Sequence, residues 1–116
     1  FQPRLEPEPK FNKKGITYMG VDQEKKTWSR LKTYGGKLVE NIVQATARDC
    51  LRDTMRALWE AGYEIVFHVH DEVILDTPKD RGSLEDVLEI MGHSPRWAFG
   101  LPLKAAGFEA PFYMKD

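Results

Sequence analysis

The sequence predicts an α+β fold, with helices packed on one face of an antiparallel sheet. Three observations predict it. Two β-rich runs near the N-terminus, residues 15–21 and 27–34, are separated by the polar stretch Asp22-Gln-Glu-Lys-Lys26. Two more, 63–69 and 73–76, flank His70-Asp71-Glu72 at the centre of the chain. Between these pairs, residues 37–61 carry apolar side chains at three-to-four spacing, the period of an amphipathic helix. The expected order is hairpin, long helix, hairpin, short helix, strand.

Residues 1–14 hold three prolines and six charges with no apolar period, so they read as an extended arm or linker, with residues 15–116 as the folded part. The first hairpin follows from strand-prone Ile16, Thr17, Tyr18, Trp28 and Tyr34 around a polar reversal. Its lysines, with Lys13, Lys14, Arg30 and Lys32, suit either a phosphate backbone or a merely solvated strand tip. Gly35-Gly36 breaks the strand, and Gly62 is the expected C-terminal cap of the long helix. Val43, Ala47, Leu51, Met55 and Leu58, with Cys50 and Thr54 beside them, form an apolar stripe that should pack on the sheet. Glu40, Gln44, Arg48, Arg52 and Arg56 follow one another at four-residue steps along a flank, a pattern usual for a solvated face. Thr77-Pro78 ends the central hairpin. Ser83, with an acid three residues on, opens a short helix that Gly92 stops. Trp97 and Phe99 are expected to plug the core edge, and residues 103–114 to supply a last strand with a bulge at Gly107.

The central hairpin concentrates the chemistry. Ile65, Phe67 and Val69 alternate with Val66 and His68 as in a half-buried strand, and the reversal holds three ionisable groups. Carboxylates at strand ends in a core need a cation or donors opposite them. Three readings stand on the residues alone. Asp71 and Glu72 bind Mg²⁺, whose hard character suits carboxylate oxygens and which keeps most of its waters. Alternatively Asp71 caps backbone N–H groups of a turn while Glu72 is solvated. In the third, His68, His70 and Asp71 bind Zn²⁺.

Bulk composition narrows the classes. The 116 residues suffice for one modest core, and 41% hydrophobic with 30% charged residues is ordinary globular composition. A net charge of −1 gives no global attraction to nucleic acid. The single Cys50 cannot form an internal disulfide and fits a reducing, cytoplasmic setting. No membrane span or signal peptide is legible. An opening without Met, in a charged and proline-punctuated segment, reads as a piece of a longer chain.

Asn41-Ile-Val-Gln44 in a long helix, followed by Ala61-Gly-Tyr-Glu-Ile-Val-Phe-His-Val-His-Asp-Glu-Val73, resembles the C-terminal palm segment of family A (DNA polymerase I-like) DNA polymerases, particularly the phage and prophage branch. Gly15-Ile-Thr-Tyr18, the stretch from Thr33 to Gln44, and the ending from Gly100 to Tyr113 extend the likeness over nearly the whole chain. The resemblance implies that His70-Asp71-Glu72 is the family's motif C. Asp71 is then one of two metal-bridging carboxylates, Glu72 an accessory acid, and His70 a support for the turn and the primer terminus. Gln44 resembles the family's minor-groove contact, where an amide meets the acceptors common to every correct base pair.

The implied reaction is template-directed nucleotidyl transfer with two Mg²⁺ ions, on primer-template DNA and a deoxynucleoside triphosphate. Family members often carry Arg and Asn two turns and one turn before that Gln, where this chain has Gly36 and Glu40. Lys37 and Asn41 stand one residue out of that register, so a helix kink is expected if they are to touch DNA beside Arg48. The family's motif A Asp and the fingers residues that hold the nucleotide lie upstream and are absent here. The chain is therefore expected to be inactive and to bind Mg²⁺ weakly without the remainder of the polymerase, and to self-associate through an exposed sheet edge. Two further readings compete: a small metal hydrolase using His68, His70 and Asp71, and a non-enzymatic DNA-binding module built on Arg48, Arg52, Arg56 and the lysines.

Overall fold

A computed structural model describes residues 1–11 and 13–115. It is α+β, with antiparallel sheets and two α-helices. The elements are β1 (Arg4–Glu8), β2 (Lys13–Val21), β3 (Trp28–Thr33), α1 (Gly35–Glu60), β4 (Glu64–Val69), β5 (Glu72–Asp76) and α2 (Leu84–Gly92), with short 3₁₀ turns at Pro9–Phe11 and Arg96–Ala98. The strands make two separate sheets, β1-β2-β3 and β4-β5. The chain divides into two compact units, residues 1–45 and 46–116.

In the first unit β2 and β3 form the expected hairpin, from Ile16 opposite Thr33 to Val21 opposite Trp28. Asp22 closes it: its Oδ1 accepts the backbone N–H of Glu24 at 2.9 Å and of Lys25 at 3.0 Å, an Asx-type turn. Reading residues 1–14 as an arm misses a strand, because β1 pairs antiparallel with β2 throughout its length. What holds β1 is polar. From β3, Arg30 reaches the Gln2 carbonyl at 3.1 Å, the buried Thr17 hydroxyl at 3.2 Å and the Glu6 carboxylate at 3.5 Å. Lys32 meets Glu8 at 3.3 Å. Such a strand leaves no apolar period to read, and Pro7 is tolerated because β1 is an edge.

In the second unit the C-terminal half of α1 supplies the core. Cys50, Leu51, Thr54 and Leu58 are buried, Leu58 completely, together with Tyr63. The apolar stripe does not continue toward the N-terminus: Val43 is 60% exposed and Ala47 is exposed as well. Helix α1 ends as its sequence requires. The Gly62 N–H donates to the Trp59 carbonyl and the Tyr63 N–H to the Leu58 carbonyl, both at 3.0 Å, while Gly62 takes φ +94°. That is a Schellman motif, and the left-handed residue is the one lacking a Cβ.

Helix α2 begins at the expected cap, where the Ser83 Oγ accepts the Asp86 N–H at 3.1 Å. Beyond α2 the expectations fail. Residues 101–115 form neither strand nor helix, so there is no last strand and no bulge at Gly107. Gly107 is small for another reason: a Cβ there would stand 3.3 Å from Leu84 and 3.5 Å from Leu88, so the tail backbone runs close against α2. Tyr113 meets Phe67 edge to face at 5.1 Å. The tail is thus held by side-chain contacts rather than by a ladder. Phe99 is 95% exposed and plugs nothing, and Trp97 is half exposed, its indole N–H donating to Asp53 at 2.5 Å. That bond holds the Asp53 carboxyl below its ordinary value.

The Tyr63 hydroxyl ties the start of β4 to α2, donating to Asp86 at 2.6 Å and accepting the Ser83 N–H at 3.4 Å. The Asp86 carboxylate, aided by burial, raises the Tyr63 pKa. A phenol whose folded value is raised favours the fold while neutral, so its contribution is complete below the ordinary value near 10 and is lost as pH climbs through the folded value. Thermal unfolding of wild type and Tyr63→Phe between pH 8 and 12 should therefore differ most at pH 8, wild type being the more stable, and converge in alkali. A gap independent of pH would refute this role.

Candidate functional site

The β4-β5 hairpin places the acidic triplet at a two-residue turn. Val69 pairs with Glu72, leaving His70 and Asp71 as the loop. Glu72 is thus the first residue of β5 and Asp71 the second residue of the turn. His70 has φ +52°, a conformation that costs a non-glycine residue on the order of 1–2 kcal/mol. At the other end of the hairpin, Ile65 opposes Leu75 and Phe67 opposes Ile74, so Val66 is an extra residue in a bulge. The strict alternation expected from Ile65 to Val69 is interrupted there, and Val66 is 55% exposed.

Asp71 and Glu72 are both exposed, and among the described residues no cation or donor engages either side chain. The expectation that burial forces a partner on them is therefore incorrect for this chain: a turn that reaches solvent imposes no desolvation cost. Their oxygens are open to a ligand and have the hard character that Mg²⁺ selects, but two adjacent acids supply only part of a coordination sphere. No group of three His, Cys, Asp or Glu side chains able to hold a metal occurs among the described residues. The His68, His70 and Asp71 zinc set is thus not assembled.

His68 is occupied otherwise. Arg48, on α1, places Nη1 3.4 Å from His68 Nδ1 and Nη2 3.5 and 3.4 Å from His68 Nδ1 and Nε2. An atom this near both ring nitrogens in the ring plane would collide with Cε1 between them, so Nη2 approaches the imidazole from its face, with its N–H directed at the ring. Arg48 Nη1 also donates to the His70 carbonyl at 3.4 Å. The long helix is thereby tied to the acidic turn through one side chain. Sequence reasoning placed Arg48 in a solvated row and His68 in a metal set; contacts between residues 20 positions apart leave no local signature.

Gln44, Asn41 and Lys37 lie on the N-terminal half of α1 and are exposed. The Gln44 amide N–H donates to Glu40 at 3.1 Å, which leaves its carbonyl oxygen free to accept. Helix α1 runs through Lys37, Asn41 and Gln44 without a break, and no kink is needed to bring the first two beside the third. At about 100° per residue, positions 37 and 41 fall within roughly 60° of position 44, on one face. The other cations proposed as a DNA surface are partly spoken for: Arg30 and Lys32 by β1, and Arg56 by Glu60 at 3.0 Å. A concavity of about 420 Å³ lined by Trp59, Gly62, Tyr63, Glu64 and Ile65 sits at the start of β4, the opposite end of that strand from the acidic turn.

Fold and site together define an α+β chain that presents an open pair of carboxylates on a hairpin turn braced by a helix-borne arginine. In sequence the chain is similar to a DNA polymerase of Bacillus phage SP02, with 54% identity over 115 residues that take in 99% of this chain and 18% of the phage protein. The chain thus spans less than a fifth of that relative's length. No family model and no solved structure matches it. Among the described residues, no helix is long and apolar enough to cross a membrane.

Proposed function

We propose that the chain is a palm segment of a DNA-directed DNA polymerase of the family A type, contributing motif C to template-directed nucleotidyl transfer. The observation that carries this reading is the free carboxylate pair at the hairpin turn, in a chain 54% identical over almost its whole length to a phage DNA polymerase. Asp71 is the residue that holds Mg²⁺, together with a carboxylate from elsewhere in the polymerase, and Glu72 assists beside it. When bound, a pair of such ions stabilises the attacking 3′-oxygen and the leaving oxygen of the incoming nucleotide. His70 steadies the turn and the primer terminus. The Gln44 amide N–H faces minor-groove atoms and donates to the N3 and O2 acceptors shared by all correct pairs, so contact there senses pairing without reading sequence. Lys37 and Asn41 extend the same helix face along the duplex.

A chimera of the SP02 polymerase in which residues 1–116 replace the matching segment tests the assignment. Retained template-directed primer extension is the expected result. An inactive but folded chimera that still binds primer-template would count against it.

The isolated chain should extend no primer and should bind Mg²⁺ only weakly, at millimolar concentrations, because one carboxylate pair is an incomplete site. Following the Asp71 and Glu72 amides by NMR during a Mg²⁺ titration checks this; saturable micromolar binding would overturn it. Among the described residues β4 and β5 pair only with each other, and exposed Val66 and Phe67 lie on β4, so the isolated chain should also self-associate through a strand edge. Sedimentation showing only monomer across a wide concentration range would remove that expectation.

A further inference from the structure

We propose that Arg48 is a positioning residue for the acidic turn, an inference that rests on the polymerase reading but concerns a residue to which that reading gives no such task. Two observations converge on it. His70 holds a left-handed backbone, φ +52°, without the glycine that such a turn position favours. Something must outweigh that cost for Asp71 to keep one direction. Among the described residues, the contact that reaches the turn from outside the hairpin is Arg48, donating to the carbonyl of that same His70 while its terminal nitrogens also meet the ring nitrogens of His68 two residues earlier. One guanidinium therefore meets both the His68 side chain on β4 and the His70 carbonyl in the turn, and fixes the backbone immediately before Asp71.

Arg48 has the means to do this. It lies two residues before the buried Cys50 and three before the buried Leu51 on α1, so its Cα belongs to a packed part of the helix even though its head group is exposed. Its two terminal nitrogens, held in one rigid plane, reach the His68 ring and the His70 carbonyl at once, an arrangement that the single nitrogen of a lysine does not reproduce. The fork also competes for no carboxylate: Asp71 and Glu72 remain open while their turn is held. Arg52, one helical turn on, is instead taken up by Asp49 at 3.8 Å and Asp53 at 3.5 Å, so it does not substitute.

The test uses the chimeric polymerase with Arg48, Arg48→Ala and Arg48→Lys. Arg48→Ala should lower kcat roughly ten- to a hundredfold, the scale of an ångström-sized misplacement at a reacting centre. KM for the nucleotide and primer-template affinity in EDTA should stay within about twofold of wild type. Hydrogen exchange in a peptide covering residues 67–73 should quicken in Arg48→Ala with no metal present, a readout independent of turnover. Arg48→Lys should rescue neither. Unchanged kcat and unchanged exchange in Arg48→Ala would overturn the proposal. So would rescue by lysine with a primer-template affinity whose salt dependence falls by about one ion in Arg48→Ala, the mark of a phosphate contact. A chimera already inactive with Arg48 in place would defeat the polymerase reading instead, and the exchange comparison would still decide whether Arg48 holds the turn.

Discussion

Asp71→Asn in the chimeric polymerase should reduce primer extension by roughly a thousandfold or more, since a metal-bridging carboxylate underlies several kcal/mol of transition-state stabilisation and each ~1.4 kcal/mol is a factor of ten. Asparagine keeps the size and turn preference of aspartate but removes the charge. Because the side chain is exposed and unengaged within the described residues, the substitution should leave folding and primer-template binding intact, so the loss should fall on kcat. Glu72→Gln should cost much less, about tenfold, because Glu72 stands in the β5 ladder while Asp71 sits in the turn. Steady-state extension with both variants decides the matter. An Asp71→Asn enzyme within tenfold of wild type would remove the assigned role.

The second large effect is on stability. Leu58→Ala should destabilise the chain by about 2–5 kcal/mol, the range for truncating a buried leucine, because its side chain is completely buried and its loss leaves a cavity. The position is doubly placed: its carbonyl also accepts the Tyr63 N–H in the Schellman cap, which the substitution spares. Val43→Ala, on the same apparent stripe, should change stability by no more than about 0.5 kcal/mol, because that side chain is largely exposed. Urea unfolding of both variants separates the two positions. Equal losses would mean that the stripe is buried throughout.

Much of the second unit was legible because its determinants are local. Gly62 had to end α1, since only glycine takes φ +94° at no steric cost. Ser83 had to open α2, since its hydroxyl satisfies an orphan N–H three residues on. The Val69 to Glu72 turn followed from two apolar runs too close together for anything but a reversal. Three things were not legible. Strand β1 is held by Arg30, Lys32 and Thr17 from other strands, so its own residues show no period. The expected last strand does not form: Gly107 runs close to Leu84 and Leu88 of α2 and Tyr113 meets Phe67, and hydropathy cannot tell such contacts from a ladder. The apolar stripe of α1 looked uniform, yet burial reaches only from Cys50 onward.

The residue types at the acidic turn, the helix that precedes it and the likeness to a polymerase segment are properties of the sequence alone, because motif, cap and period are written within a few positions of one another. Which side chain steadies that turn was decided only in three dimensions. Arg48 and His68 are 20 residues apart, and nothing local distinguishes an arginine that meets an imidazole from one that faces water. The difference arises only where the fold brings Arg48 of α1 to His68 and His70.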